Sequence, residues 1–104
     1  MGFKVTIAPS AEKDISAFLD YLLLEKKNYQ AAKAVFDDYE ETIMSLTELA
    51  GSLRMCEEPE LKARGYYRIL FKKHRYYLLY RMDELNVYVE AVLHELQDPI
   101  KKMI

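Results

Sequence analysis

His74 and His94 are the two side chains of this sequence whose ordinary pKa lies near neutrality. His94 closes the apolar run Val-Glu-Ala-Val-Leu-His and so stands at the end of a strand, where an imidazole can serve as general acid or base. A structural role is the commoner fate of a lone histidine, and His74, in a basic turn, has the weaker case. Residues 61–81 hold seven basic side chains and no acidic one: Lys62, Arg64, Arg68, Lys72, Lys73, Arg75 and Arg81. Such groups suit phosphate, and Tyr66, Tyr77 and Tyr88 add faces against which unstacked bases can rest. Nucleic-acid contact is one reading of this segment. The other is an ordinary solvated sheet face on which Glu90 pairs with Arg68 or Arg81. Lys62, Lys73 and Arg75 either steer a polyanion or form a charged edge that discourages strand pairing. Glu57, Glu58 and Glu60 supply a candidate base, or simply an acidic loop. The sole cysteine, Cys56, has no residue placed to activate it. It excludes an internal disulfide and, with no Cys/His spacing beside it, a zinc site. No metal or cofactor is expected.

The chain has 104 residues, half of them apolar, which allows one domain with a core over residues 1–104 and excludes a multidomain enzyme. A net charge of −2 excludes a uniformly basic binder. The first 49 residues carry five basic and nine acidic side chains, a net −4, and residues 50–104 carry ten and eight, a net +2. The start alternates apolar with polar residues and does not read as a signal peptide. No apolar run approaches the roughly 18–20 residues of a membrane span, so a soluble, cytoplasmic protein with no membrane partner is expected.

The elements that must position these groups follow from periodicity. Phe3, Val5 and Ile7 alternate with Lys4 and Thr6, as in a half-buried strand. Ser10 is a candidate cap for a first helix over 11–27, whose stripe is Ile15, Phe18, Leu19, Leu22 and Leu23. Asn28 can cap a second, with Ala32, Val35, Phe36, Tyr39, Ile43 and Leu46 on one side and Gly51 as its stop. Residues 51–63 read as a loop. Residues 66–72, 76–82 and 87–93 read as a three-stranded meander, and Asp98-Pro99 opens a last helix over 100–104. The spacing therefore predicts an α+β fold of order β-α-α-β-β-β-α, with an antiparallel helical hairpin packed on one face of a small, mainly antiparallel sheet.

Strand alternation divides the meander into two sets. Tyr67, Ile69, Phe71, Tyr76, Leu78, Tyr80, Met82, Val87, Val89, Ala91 and Leu93 carry no charge and are expected under the helices. Tyr66, Arg68, Leu70, Lys72, Tyr77, Leu79, Arg81, Tyr88, Glu90, Val92 and His94 are expected on an open face, with Arg68, Arg81 and His94 close enough to share one phosphate.

This element order, together with Glu58-Pro59-Glu60-Leu61-Lys62, Tyr67-Arg68-Ile69-Leu70, the run Tyr76 to Asp83 containing Tyr80-Arg81, and Val92-Leu93-His94-Glu95-Leu96-Gln97-Asp98, resembles the RelE/ParE superfamily of toxin–antitoxin toxins. The resemblance covers essentially the whole chain. It implies a small toxin held inactive by a cognate antitoxin protein. RelE-like members cleave mRNA on the ribosome, and ParE-like members poison DNA gyrase.

For the nuclease branch the resemblance assigns Arg68 and Arg81 to the substrate phosphate, His94 to protonation of the leaving oxygen and Glu60 to the general base. Lys62, Arg64, Lys72, Lys73, Arg75 and Tyr77 would then bind RNA. Two positions depart from the nuclease pattern, Tyr77 where an arginine is common and Glu95 where arginine or tyrosine is. The expected activity is a metal-independent, ribosome-dependent mRNA endoribonuclease that blocks translation. The alternatives are gyrase inhibition and a degenerate toxin that only binds antitoxin. The nuclease reading requires Arg68→Ala and His94→Ala each to abolish toxicity.

Overall fold

A computed structural model describes residues 2–104. Strand β1 spans Lys4–Ile7, helix α1 Pro9–Asp20, α2 Tyr29–Leu49 and α3 Pro59–Ala63. Strands β2, β3 and β4 follow at Tyr67–Leu70, Tyr76–Asp83 and Asn86–His94, and α4 at Pro99–Met103. The sheet order is β1-β4-β3-β2, with β1 parallel to β4 and the meander antiparallel. This is the expected α+β arrangement. No helix among the described residues is long and apolar enough to cross a membrane.

Helix α1 begins at Pro9, whose missing N–H costs nothing in a first turn. Ser10 is therefore not the cap, and its hydroxyl instead donates to the Glu90 carbonyl at 2.7 Å. The helix ends in one π-helical turn, Tyr21–Glu25, and Lys27, at φ 49°, breaks the chain toward α2. Asn28 caps α2 as expected, its side chain accepting from Ala31 N at 3.0 Å. Gly51 lies beyond the helix at a negative φ and is no left-handed stop. A Cβ there would come within 2.8 Å of the tip of the Phe3 ring, which would have to shift to admit it, so close packing favours glycine.

Two corrections concern the sheet. Glu90 has no partner on β3: Leu79 pairs with Ala91, and Tyr80 with Val89. This bulge places Glu90 and Ala91 on the same side and inverts the alternation beyond it. Val92 joins Leu78, Tyr80, Val87 and Val89 beneath the helices, whereas Ala91 and Leu93 turn to the other face. The cause lies in the neighbouring edge. β1 pairs with β4 only as far as Val89, and beyond it Ser10 and Asp14, one turn apart on α1, take over. Asp14 accepts from Val92 N at 3.0 Å.

The second correction is that the face opposite the helical hairpin is not open. Leu61, Leu79, Ala91 and Leu93 are fully buried there with Cys56, Tyr66 and Tyr77, and Ile100 and Met103 of α4 pack against them. The segment expected to be a loop contributes α3 to this second core. Pro59 opens the helix. Gly65, at φ +83°, closes it with Gly65 N donating to Lys62 O and Tyr66 N to Leu61 O, both at 3.0 Å. Asp98 caps α4 through Ile100 N at 2.9 Å.

Candidate functional site

The expected site residues fall into three groups. Arg68, on β2, lies over the Tyr77 ring at 4.5 Å, and its Nη2 donates to both oxygens of Glu58 at 3.1 and 2.9 Å. Burial alone would lower the Arg68 pKa, but Glu58 outweighs it and holds the guanidinium protonated more firmly than usual. Burial likewise raises the Glu58 carboxyl, and hydrogen bonds from its own backbone N–H and from Arg68 carry it below its usual value. Tyr77 is 3% exposed and has no face free for a base. Burial pushes the Cys56 thiol up despite the nearby Arg68, consistent with a packed and unreactive side chain.

Arg81 Nε donates to Glu90 Oε2 at 2.6 Å, and the Tyr66 hydroxyl donates to Glu90 Oε1 at 3.0 Å. Arg81 also lies over the Tyr66 ring. Both arginines expected to meet phosphate are thus held by glutamates of the chain.

His94 does not join them. Its Cα pairs with that of Tyr76, whose ring packs on Phe18 of α1, and the imidazole meets the Tyr76 ring edge-on at 5.1 Å. Leu96 N donates to His94 Nδ1, which leaves the proton of the neutral ring on Nε2. The slip at Glu90 is what sends His94 to this side. Glu60 is exposed in the first turn of α3, and Glu58, not Glu60, meets Arg68. Lys62 and Arg64 are exposed on and after α3.

Lys72, Lys73 and Arg75 are exposed in the β2–β3 turn. The residue that organises this turn escaped the sequence reading. Asp38 of α2, 3% exposed, accepts from Lys72 N at 3.1 Å, Lys73 N at 2.9 Å and His74 Nδ1 at 2.7 Å. Burial alone would raise its carboxyl, but the His74 contact and the two amides hold it below its usual value. A signal existed: Asp38 falls three residues after Val35 and four before Thr42, on the buried stripe of α2, where a carboxylate must find partners.

At the hairpin joint Leu24 and Tyr29 are 71% and 81% exposed. An apolar groove of about 290 Å³, lined by Leu19, Leu23, Tyr29, Ala32, Lys33 and Phe36, opens between the helices.

A sequence model of the ParE toxin of type II toxin–antitoxin systems matches residues 5–99. The chain belongs to the ParE toxin family. The solved chromosomal ParDE toxin–antitoxin system from P. aeruginosa contains a chain of the same fold, with a TM-score of 0.70 and 16% identity over 88% of this chain and 95% of that one. The toxin–antitoxin complex RelBE2 from Mycobacterium tuberculosis also contains one, with a TM-score of 0.56 and 18% identity over 90% of this chain and 99% of the other. No curated protein sequence matches the chain. These matches bear out the RelE/ParE superfamily resemblance read from the sequence.

Proposed function

We propose that this ParE-family toxin is held inactive by a cognate antitoxin and acts by binding DNA gyrase, without cleaving mRNA. The observation that carries this reading is the bulge at Glu90. It puts His94 on the helix side of the sheet while Arg68 and Arg81 stay on the other. Phosphoryl chemistry needs a proton donor and cationic groups converging on one reacting centre. Here the donor is on the wrong side, and the cations are already bound to Glu58 and Glu90. A binder needs no such convergence. The apolar groove at the hairpin and the exposed Leu24 and Tyr29 suit an amphipathic antitoxin segment. Co-expression with the product of an adjacent reading frame is expected to yield a copurifying complex.

Pulse labelling after induction tests the target. Thymidine incorporation is expected to fall before methionine incorporation, and the purified toxin to make gyrase accumulate cleaved supercoiled plasmid. Arg68→Ala and His94→Ala, folded by circular dichroism, are expected to remain toxic. Early loss of methionine incorporation, with toxicity lost in both variants, restores the ribosome and mRNA as targets.

A further inference from the structure

We propose that the β2–β3 turn is a binding site for the phosphate backbone of duplex DNA, with Lys72, Lys73 and Arg75 as its contacts and Asp38 as the positioning residue. The inference rests on the gyrase reading in one respect: gyrase presents a DNA duplex beside any protein bound to it.

The five residues 71–75 between β2 and β3 carry three exposed cations, none paired with a carboxylate among the described residues. The nearby wall of α2 supplies Asp37, Asp38 and Glu41. Asp37 is taken by Lys33 at 2.8 Å and Asp38 by the turn itself, leaving Glu41 and, beside Arg75, Glu95 against three cations.

A turn that serves only solubility needs no fixed shape, yet this one is tied at four points. Phe71 N donates to Tyr76 O, Glu95 N donates to Arg75 O, and Asp38 grips the amides of Lys72 and Lys73. His74 adds a side-chain contact to the same carboxylate. Backbone order already present in the free protein lowers the entropy cost of binding.

The absence of a stacking surface selects among polyanions. Phe71 at the start of the turn and Tyr77 after it are buried, Tyr76 is packed among Phe18, Phe71 and His94, and the partly exposed His74 ring is held against Asp38. Unstacked RNA is read largely on aromatic faces, whereas a duplex is held through its phosphates.

The test measures anisotropy of a labelled 20-base-pair DNA of arbitrary sequence against the full-length toxin over a range of KCl concentrations, without gyrase. For the triple variant Lys72→Gln, Lys73→Gln, Arg75→Gln, the slope of log K against log salt is expected to fall by about 2 to 3, from about 0.9 per phosphate neutralised. Affinity at low salt should drop by at least about tenfold. Asp38→Asn keeps all three charges, so a severalfold weaker affinity with an unchanged slope is expected, a split that mere loss of fold does not produce. An unchanged slope in the triple variant, or tighter binding of a single-stranded oligouridine of equal length than of the duplex, overturns the proposal. Duplex binding by a toxin that leaves gyrase unaffected in the plasmid assay rejects the gyrase reading and leaves this site standing.

Discussion

Leu79→Ala is expected to destabilise the fold by about 2–5 kcal/mol, the range for removing a fully buried leucine into a cavity that the surroundings fill only in part. Leu79 is 0% exposed in the second core, between β2 and β4 and under α3 and α4. In a chain of this length a loss of that size lowers the melting temperature by about 8–40 °C, at about 4–8 °C per kcal/mol. The contrast is Leu70, which strand alternation places on the same face but which is 56% exposed on the edge strand β2. Leu70→Ala is expected to stay within about 0.5 kcal/mol of the parent protein. Urea denaturation followed by circular dichroism measures both. Equal, small effects would mean that the face is solvated, as alternation alone suggests, and that Arg68 and Arg81 stand ready for a ligand.

The difference between those two leucines shows where the sequence stops being legible. The stripe of α2, the alternation of β1 and the caps at Asn28 and Asp98 each depend on residues within a turn or two, and all three were readable. Helix α3 was also written in the chain, in Pro59 at its start and Gly65 at its end. The acidic composition around it obscured those signals. The bulge at Glu90 was not written locally. Val87 to His94 reads as an unbroken strand, and the slip is decided by Ser10 and Asp14, about eighty residues away, filling the edge of β4 where β1 ends. One misplaced residue inverts everything after it. The faces of Val87 and Val89 were therefore foreseen, and those of Ala91, Val92, Leu93 and His94 reversed. The same error assembled Arg68, Arg81 and His94 into a site that the folded chain does not form.

Asp38→Ala carries the other large effect, because three donors lose one acceptor at once. The amides of Lys72 and Lys73 and the imidazole of His74 all give their hydrogen bonds to this carboxylate. Removing the acceptor is expected to cost about 2–4 kcal/mol and to free the β2–β3 turn from α2. Asp38→Asn, which keeps the shape and loses the charge, costs less and reveals the pH dependence. The native carboxyl titrates below its unfolded value of about 3.9, so at intermediate pH the unfolded chain binds more protons than the folded one, and stability rises with pH. The contribution of Asp38 is thus complete above the unfolded pKa and disappears as pH falls through the native one. Glu58, held low by its backbone N–H and Arg68, acts in the same direction in both proteins and cancels from their difference. The stability gap between the parent and Asp38→Asn is therefore expected to be fully open at about pH 5 and to shrink as the pH falls below about 4. A gap that persists unchanged down to about pH 2 would show that the Asp38 carboxylate is not what ties the turn to the helix.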